Sequence, residues 1–239
     1  KGATLYGLVL AKDAISTKGY AILVEGNMDA LTSHEAGIAN TVATSGTALS
    51  ADQLRLLKRF TSVLHVAFDA DPAGEGAAER GIDAALDAGF DVRVIRMPHG
   101  ADGTPLAKDP DECIRKDAAA WKAATEQPIP VLDFYLERIR ATYDLRAPKG
   151  QGAAGQVLIA HLSHVADPIE RAAWVRRSAE AIGVPEGSVM EALQRYIAAR
   201  KAIGAPAPIV APKSTEVALE LTERMLAKAA DDRPASAPA

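Results

Sequence analysis

A chain of 239 residues, 48% of them apolar, can bury a sizeable core, and a formal net charge of -4 gives it no bulk attraction for nucleic acid or an anionic membrane. The single cysteine, Cys113, excludes an internal disulfide framework and a cysteine-built zinc cluster, and fits a reducing compartment, by default the cytoplasm. No apolar run has the length of a membrane span, so no membrane is expected among the partners.

The chain opens on Lys1 and is read as a piece of a longer protein, with residues 1–19 as a lead-in segment. From Tyr20 onward, short apolar runs alternate with segments of helical period: "YAILV", "MDALTSHEAG", "NTVAT", "SADQLRLLKRF", "SVLHVAF", "AGEGAAERGIDAALDAG", "FDVRVIRM" and "PDECIRKDAAAW". This alternation predicts βαβ units over 20–127, hence an α/β domain with a mainly parallel sheet and flanking helices. Ser50 is placed to cap the second of these helices, and Gly37 and Gly89 stand where helices end in a left-handed residue. Small residues mark the third helix, whose Ala73, Ala77, Ala78, Ile82, Ala85 and Leu86 share one face against the sheet.

Beyond Pro128 and Pro130 the strand signal disappears. Residues 128–203 read as an all-helical subdomain: "VLDFYLERIRATYD", "AGQVLIAHLSHVAD", "PIERAAWVRRSAEAIG" and "PEGSVMEALQRYIAARK". Pro168 and Pro185 occupy first-turn positions, and Gly183 stops the third helix of this set. Residues 204–239 read as a Pro- and Ala-containing linker followed by one amphipathic segment, "EVALELTERMLAKAA", the start of a further region.

Open parallel sheets bind ligands at the carboxyl ends of their strands, and three of the four predicted strands end there in acids. The first runs into Glu25-Gly26-Asn27-Met28-Asp29, the third into Asp69-Ala70-Asp71, and the segment after the fourth reaches Asp109-Pro110-Asp111-Glu112. Carboxylates so gathered repel one another unless cations neutralise them, and an all-oxygen donor set favours Mg²⁺ or Mn²⁺ over zinc. Phosphoryl or nucleotidyl transfer is the chemistry this implies. Plainer readings stand beside it: Asp71 before Pro72 as an N-cap, Asp109 as the cap of a D-x-x-E box, and Asp29 as an exposed acid one turn into a helix. Glu25 and Asp69 terminate apolar strands without being placed to cap the next helix, and they carry the inference.

Gly26 is either a turn residue or a point of close backbone approach to a ligand. The "SGTALS" stretch, with Gly46 and Thr47, either offers backbone N–H groups to a phosphate or is a capped strand-to-helix turn. Gly26, Gly46 and Thr47 are thus the nucleotide-binding candidates. His34, His65, His99, His161 and His164 show no spacing with acids that marks a site, and Cys113 reads as helix packing.

With "VEGNMDAL", "SGTALS", "FDADPAG" and "DPDE" in this order, the sequence resembles the TOPRIM domain, specifically that of bacterial DnaG-type primases. "KGATLYGL" resembles the segment preceding that domain, and "DPIERAAWVRRSAEAIGVPEGSV" the helical subdomain following it, so the likeness covers most of residues 1–200. The resemblance implies a TOPRIM-type sheet, two or more Mg²⁺ or Mn²⁺ ions, catalytic Glu25, Asp69 and Asp71, and Asp29, Asp109 and Asp111 completing the metal-holding set. It implies a DNA-directed RNA polymerase that makes short RNA primers from ribonucleoside triphosphates on single-stranded DNA, beside the replicative helicase met through the C-terminal region. The family's zinc-binding module and basic template-gripping subdomain have no counterpart in these residues, so zinc is not expected here and the activity of this chain alone is expected to be weak. TOPRIM domains also occur in nucleases and topoisomerases, so a nuclease, or a metal- and nucleotide-binding module without turnover, is the alternative. None of the five tyrosines stands in a setting that suggests a topoisomerase.

Overall fold

Strands that are apolar on both sides need cover on both faces, and helices on the two sides of the sheet supply it. The computed structural model describes residues 4–46, 48–67, 75–165 and 167–203. Five strands, β1 (Ala21–Val24), β2 (Thr41–Ala43), β3 (Val63–Ala67), β4 (Asp91–Ile95) and β5 (Ile129–Pro130), form one sheet in the order β2-β1-β3-β4-β5. The first four are parallel and β5 runs antiparallel to β4, pairing Pro130 with Arg93 and Ile129 with Val94. β5 lies where the sequence shows no strand. Its two residues are too few for a period, and Pro130, which cannot donate to a ladder, is tolerated because β5 is an edge.

Side chains alternate across the sheet. Ala21, Leu23, Leu64, Val66, Val92 and Val94 belong to one buried cluster, and Ile22, Val24, Ala67 and Ile95 to another. The first face is covered by α1 (Leu8–Lys18), α3 (Ala51–Leu57) and α4 (Glu75–Asp87), the second by α2 (Asn27–Glu35) and α5 (Pro110–Thr125). The lead-in is integral to this domain: Leu8, Ala11 and Ile15 of α1 bury at helical spacing, and Tyr6 pairs with Ala43 of β2.

Local signals place the helix ends. Ser50 and Gln53 form a reciprocal box, Ser50 Oγ accepting from Gln53 N at 3.2 Å and Gln53 Oε1 from Ser50 N at 2.9 Å. Gly37 and Gly89 have φ of 83° and 75°. In α4, Ile82 and Ala85 are buried and Leu86 is half-buried, while the side chains of Ala73, Ala77 and Ala78 lie outside the described residues. Gly81 is there for closeness, since a Cβ on it would lie 3.2 Å from Leu49 Cβ. Helix α5 breaks its regular dihedrals at Asp117, whose Oδ1 accepts from Ala120 N at 2.9 Å and so caps the continuation that buries Trp121.

The chain then forms α6 (Val131–Thr142), α7 (Pro148–Leu162), α8 (Pro168–Ile182) and α9 (Glu186–Ile203). Asp167 caps α8 through Ile169 N and Glu170 N, and Gly183 ends it at φ 73°. The bundle is not a separate body, because Leu136, Leu158, Val175, Ile182 and Leu193 share the continuous core of the sheet's first face. Among the described residues no helix is long and apolar enough to cross a membrane.

Candidate active site at the carboxyl edge of the sheet

β1 and β3 are adjacent and parallel, Leu23 opposite Val66, so both strands end at the same edge. β1 delivers half-buried Glu25, and Gly26 turns the chain into α2 as its N-cap residue. Asp29 sits in the first turn of α2, and here the structure corrects the reading of an exposed acid: Asp29 is only 5% exposed. Its Oδ2 accepts from Gly26 N at 3.0 Å and its Oδ1 from Asp111 N, also at 3.0 Å. One carboxyl thus closes the corner after β1 and fastens the start of α5 to it.

Burial pushes the Asp29 carboxyl above the ordinary value of 3.8. The N–H groups of Asp111 and Gly26 pull it down, and the charges of Asp109 and Asp111 push it up again. The fold therefore disfavours the ionised form. Stability from the protonated group is present below the ordinary value and lost as pH rises through the raised one. Among the described residues no cation pairs with Asp29, and no group of three or more His, Cys, Asp or Glu is set to hold a metal ion. Asp69 and Asp71 lie outside the described residues.

Asp109 is the N-cap of α5, its Oδ1 accepting from Glu112 N at 2.7 Å. The D-x-x-E pattern is only half a capping box, because Glu112 accepts from Lys108 N instead, at 3.0 Å. Asp111 points its carboxylate to Arg115 Nε at 3.1 Å, and Asp109 Oδ2 lies 3.6 Å from Lys108 Nζ. The long segment before Asp109 is a small hairpin, closed by Leu106 N to Pro98 O at 2.7 Å and Gly100 N to Thr104 O at 2.8 Å. The structure thus brings Glu25, Asp29 and the α5 start together, with Asp109 and Asp111 engaged by their own helix.

Of the nucleotide-binding candidates, Gly46 is left-handed with φ 69° and gives its N–H to Glu25 O at 3.2 Å, while Thr47 lies outside the described residues. The neighbouring Ser45 is a non-glycine residue at φ 62°, a conformation that needs support; its hydroxyl donates to Asn27 Oδ1 at 2.7 Å. At Gly26 the close approach is to the chain's own α2: a Cβ there would stand 2.8 Å from Asp29 Oδ2. Gly26→Ala is therefore expected to cost roughly 1–3 kcal/mol in urea unfolding by prising Asp29 from the corner. Full wild-type stability in that variant would contradict this.

Other titratable groups are plain. His65 is buried against Tyr20, ring centroids 4.2 Å apart, and burial, then Arg93, pushes it down to about 4, so it is a neutral core residue. Burial pushes the Cys113 thiol up, which removes it as a nucleophile. The sequence missed a polar seam in which His161 meets Asp83 and His164 meets Asp87. Its only trace was a pair of acids at i, i+4 in a helical segment and a pair of histidines three residues apart, which the structure places at the last turn of α7 and just beyond it.

Residues 22–114, which run from β1 into α5, match the family model described as Toprim-like, and residues 132–187 match that of the DnaB-helicase binding domain of primase. The DNA primase of Clostridium acetobutylicum is 34% identical over 200 residues, 82% of this chain and 32% of its own length. The chain belongs to the family of bacterial DnaG-type primases. A solved DNA primase domain from Pseudomonas aeruginosa superposes with TM-score 0.66 at 27% identity, covering 81% of this chain and 60% of that one. A DnaG primase catalytic domain bound to ssDNA does so with TM-score 0.65 at 28% identity, covering 78% and 58%. The chain spans about a third of the length of the curated primases it matches. In this DnaG-type chain Glu25, Asp29, Asp109 and Asp111 all fall in the Toprim-like segment, and the helicase-binding match falls on the bundle from α6 to the start of α9.

Proposed function

We propose that this chain is the nucleotidyl-transferring part of a DNA primase, a DNA-directed RNA polymerase that makes short RNA primers from ribonucleoside triphosphates on a single-stranded DNA template. The observation that carries this is the corner after β1, where Glu25 stands beside the end of β3 and buried Asp29 has no cation partner among the described residues. The donor set is all oxygen and hard, which fits two or more Mg²⁺ or Mn²⁺ ions. Glu25, Asp69 and Asp71 would hold them, with Asp29, Asp109 and Asp111 completing the acidic rim. Such ions, when bound, offset the charge of a triphosphate and stabilise the attacking and leaving oxygens.

The chain's own residues do the rest. Asp29 holds the N–H groups of Gly26 and Asp111 and so sets the distance between the β1 corner and α5. Gly26, lacking a Cβ, lets that corner approach a ligand, with Gly46 on the neighbouring turn; Thr47, outside the described residues, is the third residue proposed to bind the nucleotide. Glu25 holds an ion or takes the proton of the attacking hydroxyl. Residues 20–127 are the catalytic domain and 128–203 the helical subdomain, while 204–239 lie outside the described residues.

The helicase-binding description of residues 132–187 supports the replicative helicase as partner, and the ssDNA-bound relative supports a single-stranded template. The setting is cytoplasmic. Metal-dependent cleavage by a TOPRIM nuclease, or binding without turnover, is less favoured because the relatives compared are DNA primases. The test is Mn²⁺-dependent incorporation of labelled ribonucleotides on single-stranded DNA. Weak priming, abolished by EDTA, is expected of the chain alone, because a net charge of -4 gives little template grip. Template cleavage without incorporation would overturn the reading.

A further inference from the structure

The peptide unit between Glu25 and Gly26 is held at both of its polar ends. Its N–H, that of Gly26, donates to Asp29 Oδ2 at 3.0 Å, and its carbonyl oxygen, that of Glu25, accepts from Gly46 N at 3.2 Å and from Thr44 Oγ1 at 3.4 Å. The first grip comes from three residues along the chain, the second from the turn after β2. β1 and β2 are parallel neighbours with Val24 opposite Ala43, so their two turns leave the sheet side by side. A planar peptide fixed at both ends cannot swing about its flanking bonds, and the backbone of Glu25 is fixed with it.

The second grip depends on an uncommon backbone. The chain reaches Glu25 O through two successive left-handed residues, Ser45 at φ 62° and Gly46 at φ 69°. Glycine takes this conformation freely, whereas the Cβ of a serine crowds the following carbonyl. The compensating contact crosses from one turn to the other: the Ser45 hydroxyl donates to Oδ1 of Asn27, the first residue of α2, at 2.7 Å. A non-glycine residue stays left-handed only where its surroundings hold it there, and such positions cluster at functional sites.

We infer that Ser45 and Asn27 are positioning residues, which latch the turn after β2 onto the corner after β1 and thereby fix the backbone that carries the Glu25 carboxylate. They act through the Gly46 N–H and the Glu25 carbonyl, not on an ion directly. This rests on the proposed role of Glu25 in holding a divalent ion.

The test is isothermal titration of Mn²⁺ into the full chain carrying Ser45→Gly, Asn27→Ala or both, beside wild type and Glu25→Gln. Each single change is expected to weaken Mn²⁺ binding on the order of 3- to 10-fold, the worth of one hydrogen bond. The double variant should bind no more weakly than either, because both changes remove the same bond. Glycine accepts the left-handed backbone, so the urea midpoint of Ser45→Gly should stay at the wild-type value. Affinity lost without stability lost separates positioning from a general part in folding. Hydrogen exchange at the Gly46 N–H should speed up in each variant, while that of Gly26, held by Asp29, keeps its wild-type rate. Wild-type affinity in both single variants, or losses that multiply in the double variant, would overturn the inference. A wild type that binds no Mn²⁺, or a Glu25→Gln that binds as wild type does, would instead remove the metal-site reading beneath it.

Discussion

Asp69→Asn is expected to remove divalent-ion binding from this chain, with Mn²⁺ affinity falling by about 100-fold or more in calorimetric titration, and Asp71→Asn is expected to do the same. The reason is electrostatic before it is geometric. A carboxylate at the end of a buried strand costs free energy unless a cation offsets it, and a neutral amide brings neither the charge nor the second strong donor oxygen. In EDTA, where like charges are left facing one another, either variant should unfold no more easily than wild type. Unchanged Mn²⁺ affinity in both variants would contradict the assignment.

Asp29→Ala should be the most damaging single change at the corner, costing roughly 1–3 kcal/mol, because two half-buried backbone N–H groups, those of Gly26 and Asp111, lose their acceptor together. For a chain of this size that is a fall in melting temperature on the order of 2–12 °C. Asp29→Asn keeps one acceptor and should lose about half as much. The pH dependence has a definite sign. Since burial raises the folded-state value above 3.8, the stability gap between wild type and Asp29→Ala should be widest in acid and narrow as pH rises through the raised value. Saturating Mg²⁺ should widen it again near neutral pH, because an ion bound at the rim favours the ionised carboxyl. Melting curves from pH 4 to 8 with and without Mg²⁺, at roughly unit steps, check this, and a gap that grows with pH in EDTA would show that Asp29 is not held as described.

Much of this protein is legible in its sequence wherever the deciding interaction closes within a turn or two. Ser50, Asp109 and Asp167 cap their helices through N–H groups two or three residues ahead, and Gly37, Gly89 and Gly183 take the left-handed residues that end them. Alternation of apolar runs and helical segments implied the parallel sheet, since each βαβ unit has one favoured hand. The acids after β1 and β3 were visible for a related reason: charge at the end of a buried strand is costly, so it stands out in a linear string.

Contacts between distant residues were not visible. Asp29 looked like an exposed first-turn acid because nothing near it in the chain says that Asp111, 82 residues on, will close over it. The histidines looked unremarkable for the same reason, as Asp87 and His164 are 77 residues apart. β5 could not be read from two residues whose only reason to be extended is the free edge of β4. By itself the sequence determined most of the elements and their caps, because those are set by hydrogen bonds and periodicities a few residues long. Tertiary structure alone decided which carboxyl is buried and which helices the histidines clamp, because such contacts exist only once long loops have closed and water has been driven from between the elements.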